Sequence, residues 1–216
     1  KAPSRVSTLD LHKKYYLPSA LSRLDKGLHY IEFGRDNNEA LVHVNHGFGA
    51  SSLSWLPAVP LVSKQLNATV LGHDAPGFGL TERPSKLVDY LESAERGHDL
   101  LQQYDTTKPL RLFGHSMGCR TTLEMALLPH ARPVRIVLVA PALYRPQVPL
   151  FFVPFLTQYL LRRVVGMPEF WRRGLSALAW GDSSRLRCDD VLRFAWPALL
   201  KGWESSLMKF CLAQTN

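Results

Sequence analysis

The chain is poor in cysteine, has no long uninterrupted apolar run and contains no histidine after residue 130. Its three cysteines, Cys119, Cys188 and Cys211, are an odd number without a C-x-x-C spacing. That argues against a disulfide framework and a structural zinc site, and favours an intracellular compartment. A membrane-spanning helix needs about 18 or more apolar residues in succession. The longest apolar stretch, residues 148–165, is interrupted by Pro149, Pro154, Gln158, Arg162 and Arg163. No secretory signal, internal repeat or low-complexity tract is visible. The chain starts at Lys1, and residues 1–24 form a basic arm. They read equally as an ordinary N-terminal extension or as the stub of an organelle-targeting peptide.

What is present points to a folded domain. Hydrophobic residues make up 46% of the 216 positions, enough for a core. Lysine and arginine outnumber aspartate and glutamate by 26 to 18. The excess is uneven. Residues 1–144 hold 16 against 13 and residues 145–216 hold 10 against 5. A basic C-terminal third suits an anionic membrane surface or an acidic protein partner. No nucleic-acid-binding module is recognisable, so nucleic acid is not expected.

Patterning alternates strand and helix. Strands are expected at residues 27–34, 40–45, 68–73, 109–113 and 134–140, the last reading as the most clearly buried. Helices are expected at 53–66, 85–104 and 117–128. In 85–104 the apolar face is read as Leu87, Tyr90, Leu91, Ala94, His98 and Leu101. Such alternation implies an α/β fold with a mostly parallel sheet. Residues 145–216 have no strand pattern and show helical spacing at 156–165, 170–180 and 191–210.

Gly114-His115-Ser116-Met117-Gly118 lies between a strand and a helix. A serine on so sharp a turn is crowded, and flanking glycines relieve the crowding. The free N–H groups opening the helix would favour a developing oxyanion. This G-x-S-x-G context is that of the nucleophile elbow of α/β-hydrolases. Two further segments carry the resemblance. His46-Gly47-Phe48-Gly49-Ala50 is similar to the superfamily's HG oxyanion loop. Asp74-Ala75-Pro76-Gly77-Phe78-Gly79-Leu80-Thr81 is similar to the D-x-P-G-x-G-x-[ST] loop of its lid-bearing branch. That branch includes esterases, epoxide hydrolases, haloalkane dehalogenases, carbon–carbon bond hydrolases and perhydrolases.

The resemblance covers roughly residues 25–145 and implies a division into an arm (1–24), an α/β-hydrolase core (25–144) and a helical lid (145–216). It implies Ser116 as nucleophile and the backbone N–H groups of Phe48 and Met117 as oxyanion donors. His46, Gly47 and His115 would line the site, His46 orienting its loop and His115 serving as wall. Asp74 is expected to tie down its own loop, and Cys119 to be a small core thiol. No metal or cofactor is implied. A serine at the elbow argues against dehalogenase and epoxide hydrolase chemistry, which in this resemblance needs aspartate there.

One part of the pattern is missing. The superfamily places a triad acid and then a histidine after the nucleophile, both late in the chain. Here the histidines are His12, His29, His43, His46, His73, His98, His115 and His130. Residues 141–144 offer no carboxylate, and Asp182, Asp189 and Asp190 fall within the expected lid. Three explanations stand open: the natural product continues beyond residue 216 with both groups, the chain is a degenerate hydrolase used for binding or structure, or another chain supplies the missing strands. The enzyme reading is an esterase- or lipase-like serine hydrolase. Its substrate would be a hydrophobic small-molecule ester or lipid, since Phe151, Phe152, Phe155, Trp171, Trp180, Trp196 and Trp203 crowd the expected lid.

Overall fold

The structure is a computed structural model and describes residues 21–34, 39–129, 132, 134–143, 161–165 and 167–213. Six strands form one sheet: β1 (Leu21–Asp25), β2 (Leu28–Phe33), β3 (Ala40–Asn45), β4 (Ala68–His73), β5 (Leu110–His115) and β6 (Val134–Val139). Their order is β1-β2-β4-β3-β5-β6, antiparallel in the β1/β2 and β2/β4 pairs and parallel from β4 to β6. The central strands β3 (ALVHVN) and β4 (ATVLGH) are buried at every position, His43 and His73 included, as suits parallel strands covered on both faces.

The successive parallel strands β3 to β6 are joined by helices α1 (Val59–Leu66), α2 (Tyr90–Leu101) and α3 (Gly118–Leu127). Pro60 near the start of α1 is tolerated because a first-turn N–H has no partner to lose. Asp89 caps α2 by accepting from the Glu92 N–H at 2.9 Å. After β6 come a π-helical turn (Leu161–Val165), α4 (Pro168–Leu178), α5 (Cys188–Ala195) and α6 (Trp203–Ala213). None of the six strands comes from this C-terminal segment.

Several sequence expectations change. β1 starts inside the stretch read as an arm, because Leu21–Asp25 pairs with Leu28–Glu32 across a Lys26-Gly27 turn. The helix expected over 53–66 splits into a 3-10 turn (Ser52–Trp55) and α1. α2 begins five residues later than expected, so Leu87 and Leu91 face solvent. Its buried face is Tyr90, Ser93, Ala94, Gly97, Leu100 and Leu101. The stretch 191–210 is three pieces, broken around Pro197 and Gly202.

Two corrections bear on function. β6 is an edge strand, and Ile136, Val137 and Val139 are exposed, so it is not the buried strand its composition suggested. Also, Trp196 and Trp203, expected among the substrate-facing aromatics of the lid, are buried. They pack with Ile31, Val42, Val44, Val59 and Val70 in the main core. Phe151, Phe152 and Phe155 lie outside the described residues.

Candidate active site

Parallel pairing brings the chemistry to one edge. Asn45 is paired with Gly114, and His115 with Val139. The loops that follow β3, β4, β5 and β6 therefore emerge side by side at the strands' C-terminal ends, where open α/β sheets hold their ligands.

Ser116 occupies the left-handed region, with φ 52°. For a non-glycine residue this costs on the order of 1–3 kcal/mol and needs outside support. Its N–H donates to the Val139 carbonyl at 2.9 Å, and its carbonyl accepts from Cys119 N at 3.1 Å and Ala142 N at 3.2 Å. Ala140 is also left-handed, at φ 46°. The turn leaving β6 thus clamps the elbow.

Flanking glycines are a steric necessity. A Cβ on Gly114 would lie 2.6 Å from Cys119 Cα, and one on Gly118 would strike the backbone of Asn45 and His46. α3 can approach β5 at Gly114 and the end of β3 at Gly118 only because these side chains are absent.

The HG loop meets the elbow directly. A Cβ on Gly47 would stand 3.3 Å from Ser116 Cβ and 3.1 Å from His115 Nδ1. His115 is largely exposed on the cleft wall, and its partial burial lowers its pKa. His46 is buried with both ring nitrogens engaged. Nδ1–H donates to the Gly47 carbonyl at 2.8 Å, and Nε2 accepts from Ala75 N at 3.0 Å. That pattern fixes a neutral tautomer, and burial keeps its pKa below the usual value. His46 therefore joins the loops after β3 and β4.

Asp74 is the deepest anchor. Its carboxylate accepts from His29 Nδ1 at 2.7 Å, Ser52 N at 2.6 Å and Leu80 N at 2.6 Å. Burial alone would raise its pKa; the adjoining His29 and the other donors hold it well below the ordinary carboxylate range. Arg83 extends the same loop, donating to Phe78 O at 2.9 Å and Gly79 O at 2.8 Å. Burial brings its guanidinium down to about 10.

The surroundings of the elbow are apolar. Met117 packs with Ala75, Phe78, Val88, Tyr90 and Phe210. Phe48 is half exposed, with its ring 5.7 Å from Phe78. From α4, Trp171 Cη2 comes within 3.0 Å of where a Cβ on Gly49 would sit. Sequence reasoning missed Trp171's position, Arg83 and the His29–Asp74 contact. The GFGLTER run flanking Arg83 was a usable signal, but nothing local pointed to the other two.

Among the described residues, no backbone hydrogen bond uses the N–H of Phe48 or Met117, and none engages the Ser116 hydroxyl. Of the described histidines, His29 and His46 are committed as above and His98 contacts Gln102. His43 on β3 and His73 on β4 bond to one another, and His73 also reaches Ser93 on α2. Cys119 is buried against Val139 O, as expected of a core thiol. No cluster of metal-ligating residues occurs among the described residues.

A sequence profile of the α/β-hydrolase family matches residues 41–211. The chain belongs to that family. This chain is 33% identical over 115 residues to the dihydrolipoyllysine-residue acetyltransferase component of an acetoin cleaving system from Pseudomonas putida. That match takes in 53% of this chain and 30% of the relative's length. The Cif epoxide hydrolase of Acinetobacter nosocomialis superposes with TM-score 0.72 at 14% identity, covering 96% of this chain and 72% of that one. An esterase from Exiguobacterium antarcticum gives TM-score 0.62 at 16% identity, with 88% and 69% covered. At such identities the two structures are likenesses of fold alone.

Proposed function

We propose that this α/β-hydrolase is a serine hydrolase of hydrophobic acyl esters, esterase- or lipase-like, with Ser116 as nucleophile. The observation that carries the reading is the left-handed Ser116, hydroxyl unengaged, packed against Gly47 at the opening of α3. Ser116 Oγ adds to the ester carbonyl carbon. The carbonyl oxygen becomes an oxyanion facing the Phe48 and Met117 N–H groups, each such donor being worth about 100- to 1000-fold in rate. The C–O bond to the alcohol then breaks, leaving acyl-Ser116, which water hydrolyses.

A histidine that takes the Ser116 proton, and a carboxylate that orients it, complete the reading from outside the described residues. The reaction as written uses no metal or cofactor. The apolar walls from Phe48, Phe78 and Met117 support a hydrophobic acyl group. Trp171 and α4 are proposed as the roof over the HG loop.

The second reading is a catalytically inactive hydrolase-like subunit that binds or scaffolds. It is favoured by the lack of any described base at Ser116. Steady-state hydrolysis of p-nitrophenyl butyrate by the natural protein separates the two. The enzyme reading expects turnover that Ser116→Ala lowers by at least about 1000-fold. No turnover in the natural protein favours the second reading, and activity untouched by that change would place the nucleophile elsewhere and overturn the role given to Ser116.

A further inference from the structure

Away from Ser116 the fold holds a second concavity. It lies between the 3-10 turn that follows the HG loop and the α4–α5 helices, and its volume is about 380 Å³. That is within the range of small-ligand sites, roughly 300–1000 Å³. Its walls are Trp180, Phe194 and Pro57, and three arginines converge on it: Arg185, Arg187 and Arg193.

The charge there is in surplus. Asp190 is the cavity's one carboxylate, and it is buried and already engaged. It accepts from Arg193 Nη1 at 2.7 Å, from Arg187 Nε at 3.3 Å and from Arg187 N at 3.1 Å. Arg185 leans on Asp182 at 3.1 Å, outside the cavity. Within the lining the three arginines face Asp190 alone, while Asp182 and Asp189 act on Arg185 and Arg187 from outside it. Each guanidinium has five N–H donors, and the contacts named spend a minority of them. Arg193 is mostly buried, at 15% side-chain exposure, whereas Arg187 and Arg185 stand at the rim, at 69% and 82%.

We infer that this cavity binds a small amphipathic anion, with an aryl or similarly flat apolar body between Trp180 and Phe194 and a carboxylate or phosphate on the arginines. A guanidinium presents paired donors that match the two oxygens of such groups. The aromatic walls would hold the apolar body and leave the anion at the arginine rim. The site is separate from the Ser116 cleft and independent of the nucleophile. The two are divided by aromatic rings: Phe194 lies 5.9 Å from Trp171, which in turn covers Gly49.

The test is a calorimetric and tryptophan-fluorescence titration of the protein with 1-naphthoate and 1-naphthyl phosphate, with 1-naphthol and inorganic phosphate alongside. At least one of the two aryl anions is expected to bind saturably at one site, and which one binds tells a carboxylate site from a phosphate site. Naphthol and inorganic phosphate should each bind at least tenfold more weakly. The double change Arg185→Gln and Arg187→Gln alters two exposed side chains and should weaken the aryl anion at least tenfold without shifting the melting temperature. Ser116→Ala should leave binding unchanged, so this result stands or falls apart from the hydrolase reading. Equal binding of naphthol would reduce the cavity to an apolar crevice, and equal binding of inorganic phosphate would remove the aryl half. Unchanged affinity in the double variant, or no saturable binding of either anion, would overturn the proposal.

Discussion

Replacing Asp74 by alanine should be among the most damaging single changes in the fold. The carboxylate satisfies three buried donors that come from separate parts of the chain: the His29 ring on β2, the Ser52 N–H beside the HG loop and the Leu80 N–H in its own loop. A buried donor stripped of its acceptor costs about 1–3 kcal/mol, so three orphans cost roughly 3–9 kcal/mol. Domains of this kind hold about 5–15 kcal/mol in total. Asp74→Asn keeps the volume and one acceptor oxygen but turns an N–H toward a donor, so its loss should be smaller. The sign with pH is definite. The folded carboxyl titrates below its unfolded value, near 3.9, so its stabilisation is complete above that pH and disappears as pH falls through the folded value. Urea denaturation followed by circular dichroism measures each variant. A loss under about 1 kcal/mol for Asp74→Ala would refute the account, since only unimportant hydrogen bonds cost so little.

Gly118→Ala should destabilise by about 1–3 kcal/mol, because the added carbon meets backbone that cannot rotate away; equilibrium unfolding reads it, and a neutral result would mean α3 is less tightly docked than described. Buried His43 and His73, both held well below 6.5 by burial and His73 down to about 3, make acid unfavourable. Stability should fall as pH drops below about 6.5, by up to about 1.4 kcal/mol per pH unit for each ring, and His73→Gln should flatten that slope between about pH 6 and 4. Val139→Lys on the exposed edge strand should reduce self-association of the 216-residue chain in sedimentation velocity. A chain already monodisperse without it would count against an adhesive edge.

Much of the core was legible because its signals are local. The short β-rich runs ALVHVN and ATVLGH mark the central strands β3 and β4, and G-H-S-M-G between strand and helix marks the elbow. The two HG-loop and Asp74-loop segments were legible as motifs, and His46 and Asp74 do hold loops as their types suggested. What the sequence hid is non-local. The same Val and Ile residues compose a central and an edge strand, so β6 read as buried until its neighbours were known. Trp196 and Trp203 read as lid aromatics because nothing nearby in sequence shows that they share one buried cluster with Val42 and Val70. His29 reaches Asp74 across 45 positions, and Trp171 reaches Gly49 across a still longer span. β1 was hidden because its pairing with β2 is what makes it a strand.

The central claim is that Ser116 is the attacking atom. The most direct measurement treats the natural protein with a fluorophosphonate, then locates the adduct by intact-mass and peptide-mapping mass spectrometry. The account predicts one adduct per chain, on Ser116, lost in Ser116→Ala and slowed by a competing hydrophobic ester. An adduct on another residue, or no adduct while ester hydrolysis continues, would contradict it.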